Sequence, residues 1–353
     1  MDNIIHISTI CDDGYAVPAS VMLTSAKMHK HPQNKYCVHV LCNNVSPFHK
    51  RKFEELSAPD FNIRLIDCDA AKYDSMKMPF NITASTMIKC DIAELLPDVE
   101  KLLLLDGDML VKKDLKELYD TDLSGKIVAA TNDMVGMADM KLHELVGVER
   151  YFNAGLMLLN LDLMRQEHIG EKIFECKRNA PATWTLGEQD PFNKICNGRD
   201  VVLPLSWNVE LALLRTLKHS IDDINSFYGT SYSSYTEMED DAGILHFCNY
   251  KPWKNRLLTD APLWQKYHDV SPYGDTTLAH EPDYPKTVKK TGTTIKLFGI
   301  PFLSHYENEF RKDCKLFGLF RLYKIKKRKN YRKFYLLGFI PLIEYTWNTE
   351  IVI

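Results

Sequence analysis

Lys101-Leu102-Leu103-Leu104-Leu105-Asp106-Gly107-Asp108 is an apolar run that ends in two carboxylates separated by one glycine. Four consecutive leucines read as a strand buried on both faces, the kind found inside a parallel sheet. Charge at the end of such a strand must lie where the chain leaves the core, because burying an unpaired carboxylate is expensive. In open α/β sheets that edge is also where ligands bind. Asp106 and Asp108 are two residues apart, so a gently turning backbone can bring both to one divalent cation. Oxygen donors suit Mg²⁺ or Mn²⁺, which take one or two carboxylates and complete their shell with substrate phosphates. Alone, the triplet fits a strand-end turn with solvated acids better than a metal site, and the rest of the chain has to shift that balance.

Strand-like runs recur at 4–10, 36–42, 62–67, 101–105, 127–131 and 155–161, with helix-compatible segments at 17–29, 46–56 and 85–96. Pro18 fits a first helical turn, and Ser46-Pro47 is a helix-start signal. Met87, Ile88, Ile92, Leu95 and Leu96 fall on or near one helical face. Strands alternating with helices indicate an α/β fold with a mainly parallel sheet in a nucleotide-binding architecture. Neither Gly-x-Gly-x-x-Gly nor Gly-x-x-x-x-Gly-Lys-Ser/Thr occurs, which counts against a dinucleotide enzyme and a P-loop NTPase. Residues 205–285 are rich in Tyr, Trp, Ser and Asp with weak periodicity, and read as long loops over the site.

The 353 residues suffice for one large domain plus an extension, and 45% hydrophobic with 26% charged residues is ordinary for a soluble globular chain. Met1 to His6 carry no basic leader ahead of an apolar core, so no signal peptide is expected. No apolar run approaches the roughly 20 residues of a membrane span. Nine cysteines without a Cys-x-x-Cys pair fit reduced, buried thiols in the cytosol. The net charge of −3 conceals an asymmetry: residues 286–353 hold 15 Lys or Arg against 5 Asp or Glu. Within that tail, Lys296-Leu297-Phe298-Gly299-Ile300-Pro301 is echoed by Lys315-Leu316-Phe317-Gly318-Leu319 and by Leu336-Leu337-Gly338-Phe339-Ile340-Pro341. Basic residues interleaved with aromatic and aliphatic ones suit the interface of water and anionic lipid. A poorly ordered tail and a nucleic-acid contact are the weaker alternatives.

Four further segments carry polar residues where an enzyme needs them. Cys11-Asp12-Asp13-Gly14-Tyr15 ends the first strand, where backbone, an acid and an aromatic ring could hold a nucleobase or ribose. Lys89 precedes the aspartate strand. Phe152-Asn153-Ala154-Gly155 leads into an apolar strand, and Glu188-Gln189-Asp190 opens a helix. His246-Phe247-Cys248-Asn249-Tyr250-Lys251-Pro252-Trp253 combines a metal-binding imidazole with a cation five residues later. In this order and spacing the chain resembles the glycosyltransferases of family 8 over about residues 3–265. These are retaining enzymes that include bacterial lipopolysaccharide galactosyl- and glucosyltransferases and glycogenin. The basic tail resembles the membrane-attaching ends of the bacterial members.

The resemblance implies a Rossmann-like fold of the GT-A type, a UDP-sugar donor and Mn²⁺, with Mg²⁺ as the substitute. Asp106 and Asp108 match the metal-binding acids, and His246 matches the third ligand. Lys251 matches the lysine on the diphosphate. Asp12, Asp13 and Tyr15 match the uridine-binding segment, with Gly14 where many members have Asn. Lys89 takes the place of a basic residue, often Arg, that contacts the donor sugar and fixes the aspartates. Asp133, Asn153 and Glu188 match residues that hydrogen-bond the hexose hydroxyls, Glu188 being one methylene longer than the usual Asp. Gln189 matches the residue beneath the anomeric carbon. His246 and Lys251 are five apart where bacterial relatives generally have six, with Asn249-Tyr250 in place of a Gly-containing stretch.

The expected function is transfer of galactose or glucose from a UDP-sugar to a saccharide acceptor, a lipopolysaccharide core or another lipid-linked glycan. The expected place is the cytoplasmic face of a membrane, with residues 1–285 as the transferase domain and 286–353 as the attaching extension. A nucleotidyltransferase forming NDP-sugars could use the same aspartates, but the acidic turn at Cys11–Tyr15 lacks a glycine-rich cradle for a triphosphate. A non-catalytic relative that only binds UDP-sugar is the third reading.

Overall fold

A computed structural model describes residues 4–73, 76, 84–134, 142–181, 183–184, 186–211, 219–248, 251–255 and 258–276, together with six strands between 291 and 346. The chain divides into two compact units, Met1–His280 and Glu281–Ile353.

The first unit is built on a seven-stranded sheet. Its strands are β1 (Ile4–Cys11), β2 (Lys35–Asn43), β3 (Phe61–Cys68), β4 (Lys101–Leu105), β6 (Val128–Ala130), β7 (Leu156–Asn160) and β8 (Asp200–Val202), in the order β3-β2-β1-β4-β7-β6-β8. A separate two-stranded ribbon pairs β5 (Met109–Val111) with β9 (Ile244–His246). The pairs β1–β2, β2–β3, β1–β4 and β6–β8 are parallel, and β7 runs antiparallel to both neighbours. The fold is thus α/β with a mainly parallel sheet, as the alternation of strands and helices predicts.

The four leucines of β4 behave as their unbroken run requires. Leu103 and Leu105 enter the core on the side of α1 (Ala16–His29), and Leu102 and Leu104 enter the core on the opposite face. All four are fully buried, which is worth about 1.5–3 kcal/mol for each side chain. From β1 the chain travels outward through β2 and β3, then returns to β4 on the other side of β1. The carboxyl ends of β1 and β4 therefore flank a topological switch point, the crevice where open α/β sheets bind ligands. Asp12 follows one strand and Asp106 the other.

Two segments differ from their sequence-based reading. The helix expected over 85–96 is a 3₁₀ helix at Ala84–Asp91, and only Ile92–Leu95 is α-helical. Its tighter winding carries Lys89, whose side chain is committed to partners across the sheet edge rather than to the helix surface. The loops expected over 205–285 contain helices at Ile221–Tyr228, Tyr235–Asp241 and Ala261–Asp269, besides β9. The first is fixed by a capping box between Ser220 and Asp223 and ends on Gly229 in the left-handed region (φ 67°). Ser234 caps the second by accepting from the Glu237 amide. Local caps, not periodicity, define these short helices. No disulfide joins the described cysteines of this unit.

The second unit is a six-stranded antiparallel sheet in sequential order: β10 (Thr291–Leu297), β11 (Ile300–Glu307), β12 (Arg311–Leu316), β13 (Phe320–Arg328), β14 (Tyr331–Leu336) and β15 (Ile340–Thr346). Strands open at 291, 311 and 331, and again at 300, 320 and 340, so the strands recur with the spacing of the degenerate repeats and pair antiparallel in succession. Strand pairing sets Arg311 opposite Lys326 and Lys326 opposite Lys333. No described helix in the chain is long and apolar enough to cross a membrane.

Candidate functional site

Three local pairings assemble the site. Asp106 follows β4, and its amide donates to the Gly155 carbonyl (2.8 Å), which draws the 152–155 segment alongside. Asp108 leads into β5, whose pairing with β9 sets Met109 opposite His246. The Asn153 amide donates to the Thr131 carbonyl and the Asp133 amide to the Tyr151 carbonyl, placing Asp133 beside Asn153. Gly107, between the two aspartates, packs on α1 so closely that a Cβ would sit 3.1 Å from that of Ala19.

Asp106, Asp108 and His246 converge, with one potential donor atom from each lying within 4.8 Å of the others. The Asp106 side chain is 37% exposed and that of Asp108 only 9%. His246 Nε2 lies 3.3 Å from an Asp108 oxygen, while its Nδ1 faces Asn208 Oδ1 at 3.0 Å. That second contact puts the proton on Nδ1 and leaves the Nε2 lone pair toward the carboxylates, the arrangement a metal-ligating imidazole needs. Two carboxylates and one imidazole form a donor set that fits Mn²⁺ or Mg²⁺.

Two ammonium groups flank this triad, that of Lys89 buried and that of Lys251 partly buried. Lys89 Nζ lies 3.0 Å from Asp106 Oδ1 and 3.0 Å from Glu188 Oε1, and donates to the Ala154 carbonyl at 2.9 Å. Burial opposes its charge, but Asp106 and Glu188 outweigh burial and hold its pKa well above that of an ordinary lysine. Lys251 Nζ is bonded to Asp108 Oδ2 and donates to the carbonyls of Phe247 (2.7 Å) and Cys248 (3.1 Å). Lys251 therefore reaches the acidic cluster across the five-residue interval; Asn249 and Tyr250 lie outside the described residues. Burial pushes the Asp108 carboxyl up, yet the Lys251 ammonium bonded to it holds it well below the usual carboxylate range. Asp106 moves the other way: burial raises it, Lys89 restrains it, and the Asp108 charge raises it further.

A second cluster lies behind the first. Asp133 Oδ2 accepts from Asn153 Nδ2 and from Gln189 Nε2, both at 2.9 Å. Gln189 Oε1 accepts from the Ala154 amide (2.8 Å), so both ends of its side-chain amide are engaged. Asn153 Oδ1 accepts from the Gly155 amide and from Asn208 Nδ2. Lys89 offsets the burial of Glu188 and lowers its carboxyl below the ordinary value.

The Cys11–Tyr15 turn borders this group. Asp12 Oδ1 accepts from the Tyr15 amide (3.0 Å), and Asp13 Oδ1 accepts from the Ser46 amide (2.6 Å), tying the turn to α2 (Pro47–Glu54). The Tyr15 ring meets Trp253 edge-on at 6.1 Å, and burial followed by the Asp108 charge pushes its phenol up to about 12. Trp253 thereby joins the turn, a role its place in Lys251-Pro252-Trp253 did not announce.

Three more residues escape sequence reading. Asn208 bridges His246 and Asn153, Glu210 is wholly buried, and Asn193 accepts from the Phe152 amide (2.7 Å) while donating to its carbonyl (2.9 Å). Ser206, Asn208 and Glu210 alternate with Leu205, Trp207, Val209 and Leu211, which reads as a polar outer face. Asn208 and Glu210 are instead buried, so the alternation gives no signal of their role.

The model of glycosyl transferase family 8 matches residues 6–256. General stress protein A of Bacillus subtilis is 25% identical over 278 residues, covering 77% of this chain and 94% of that one. A lipopolysaccharide 1,2-glucosyltransferase of Escherichia coli is 23% identical over 297 residues, covering 81% and 82%. A lipopolysaccharide 1,3-galactosyltransferase of Salmonella typhimurium is 26% identical over 219 residues, covering 58% and 61%. Among solved structures, the galactosyltransferase LgtC in complex with donor and acceptor sugar analogs shares the fold, with a TM-score of 0.64 at 24% identity, covering 78% of this chain and 98% of that one.

Two measurements probe the geometry. A Cβ on residue 155 would lie 2.4 Å from His246 Cε1, 2.9 Å from Asn153 Oδ1 and 3.1 Å from Asp106 Oδ2. Gly155→Ala should keep the far-ultraviolet circular dichroism of the wild type and weaken Mn²⁺ binding by roughly tenfold or more; unchanged affinity contradicts the assembly. Burial, then the Asp133 charge, push the Glu210 carboxyl well above its ordinary 4.5. The folded chain keeps a proton there that the unfolded chain releases above that value, so this contribution is full at acid pH and declines as pH rises. Between about pH 5 and about pH 8 the thermal midpoint should fall relative to that of Glu210→Gln; parallel midpoints contradict a protonated Glu210.

Proposed function

The chain belongs to glycosyl transferase family 8, and we propose that it moves a hexose, galactose or glucose, from a UDP-sugar to a saccharide acceptor with retention at the anomeric carbon. The observation that carries this reading is the convergence of Asp106, Asp108 and His246 at the β1–β4 switch point, flanked by the ammonium groups of Lys89 and Lys251. A divalent cation held by those three residues would supply Lewis-acid stabilisation of the diphosphate leaving group.

The chain's own residues do the rest. Lys251 places a permanent positive charge beside Asp108, where it can hold the diphosphate. Lys89 orients Asp106 and Glu188 together, coupling the metal-binding acids to the sugar-binding group. Asp133, Asn153 and Glu188 offer acceptors and a donor for hexose hydroxyls. The turn of Asp12, Asp13 and Tyr15 borders the site where uridine would lie, with Asp13 also bracing α2. Gln189 is a poor nucleophile, and its amide already serves Asp133 and Ala154. It therefore positions Asp133 rather than forming a glycosyl intermediate of the glycosidase kind. Attack by the acceptor hydroxyl on the face the diphosphate leaves, with the departing phosphate oxygen taking the proton, needs no further protein base.

Relatives named as lipopolysaccharide transferases support a lipopolysaccharide core or another lipid-linked glycan as acceptor. The basic second unit supports attachment to an anionic membrane on its cytoplasmic face. Residues 286–353 hold 15 Lys or Arg against 5 Asp or Glu, and a net positive segment interleaved with aromatic and aliphatic residues suits an anionic lipid surface. Residues 1–285 would then do the chemistry, and 286–353 would raise the effective concentration near the acceptor.

The test is UDP release from a panel of UDP-sugars by the full chain, with and without Mn²⁺. One donor should turn over only with the metal, and Asp108→Asn should lower that rate by at least about 100-fold. Metal-independent turnover, or an unaffected Asp108→Asn, contradicts the reading. Pyrophosphate release from UTP and a sugar phosphate would favour the nucleotidyltransferase alternative.

A further inference from the structure

Far from the switch point, near the amino-terminal ends of β1 and β2, a second group of metal-ligating side chains has no part in the transfer chemistry. His6 and Cys37 are register partners on adjacent parallel strands, and His39 follows Cys37 by two residues, so strand alternation puts all three on one face of the sheet. One donor atom from each of His6, Cys37 and His39 lies within 4.8 Å of the others. Six residues of extended chain separate His6 from Asp12, roughly 20 Å, so this is not an outlying part of the Asp106–Asp108–His246 site.

The two imidazoles make an unusual contact. Their rings stack with centroids 5.3 Å apart and 19° between planes, and His6 Nδ1 meets His39 Nε2 at 3.0 Å. Two ring nitrogens face one another, so at most one of them carries a proton in that contact. His39 is wholly buried, and its other nitrogen has no hydrogen-bond partner. Burial, reinforced by His6, pulls the pKa of His39 down to about 3, and burial also lowers His6. The facing nitrogens at 3.0 Å already require a lone pair on at least one ring, the form in which imidazole ligates a metal. Cys37 Sγ accepts a long contact from Asn62 Nδ2 (3.9 Å) and also interacts with the Arg64 guanidinium, a cation that favours the thiolate form. The neighbouring charges are Arg64 and Asp98, which neutralise one another in an ion pair at 2.8 Å.

From this geometry we propose that His6, Cys37 and His39 form a binding site for a soft or borderline transition-metal ion, with Zn²⁺ as the representative case. One thiolate and two imidazoles match zinc chemistry and leave a fourth position for solvent on the half-exposed His6 side. The thiolate disfavours Mg²⁺ and Mn²⁺ there, so the two sites of the chain select different ions. Binding exchanges the Cys37 proton for the metal–sulfur bond, so affinity increases with pH. The ion would tie β1 to β2 at the end of the sheet remote from the donor site, independently of the transfer reaction.

Co²⁺ is the probe, because a cobalt–thiolate bond gives a near-ultraviolet charge-transfer band that oxygen and nitrogen ligands do not. The metal-stripped full chain titrated with Co²⁺ should develop this band to one equivalent, and Zn²⁺ should abolish it by displacement. Cys37→Ser should lack the band. His6→Gln, at a half-exposed position that tolerates polar substitution, should bind Co²⁺ at least roughly tenfold more weakly. Asp106→Asn should keep the band unchanged, which separates this site from the one on which the proposed transfer depends. Absence of a thiolate band in the folded wild type, or a band that survives Cys37→Ser, overturns the proposal.

Discussion

The ammonium of Lys89 holds the site together. It is 2% exposed, far from the water that usually surrounds a lysine, and is stable there only because two carboxylates and a carbonyl surround it. Removing the ammonium would leave the buried Glu188 carboxylate without its cationic partner, a change that typically costs about 3–5 kcal/mol. Because Asp106, Glu188 and Ala154 come from three separate stretches, the one cation sets the distance between β4, the segment leading into β7 and the helix at Gln189–Cys196. Lys251 does the same for Asp108 and the turn after β9. The two lysines thus hold the carboxylates in place before any ligand arrives. This preorganisation lets a polar site act in a low-dielectric crevice.

Much of this was legible from single stretches of sequence. The leucine run of β4 announces a strand buried on both faces, and the carboxylates after it announce its functional end. Asp106-Gly107-Asp108, Phe152–Gly155, Glu188-Gln189 and His246…Lys251 each carry a polar group against an apolar background, and the fold brings them to one crevice. Their convergence is a property of topology: only the return of the chain from β3 to β4, and the antiparallel insertion of β7, make neighbours of Asp12, Asp106 and Gly155.

What remained hidden is of a different physical kind. Asn208 acts by presenting one amide to His246 and Asn153, and nothing in its neighbourhood distinguishes it from a solvated asparagine. The winding around Lys89 is 3₁₀ because tertiary partners outweigh the helical periodicity of Met87, Ile88 and Ile92. The helices after residue 220 depend on caps spanning four residues, a weaker signal than an amphipathic face. In the tail, the repeated pattern was visible, but the sequential antiparallel order of its strands follows only from strand pairing.

In the proposed reaction two carboxylates and an imidazole, fixed by two lysines, recognise a nucleoside diphosphate through a divalent cation. Calorimetric titration of UDP into the full chain, with Mn²⁺ and again after chelation, tests it most directly. Binding should be saturable with Mn²⁺ and lost on chelation. No binding in either condition, or equal binding in both, would contradict it.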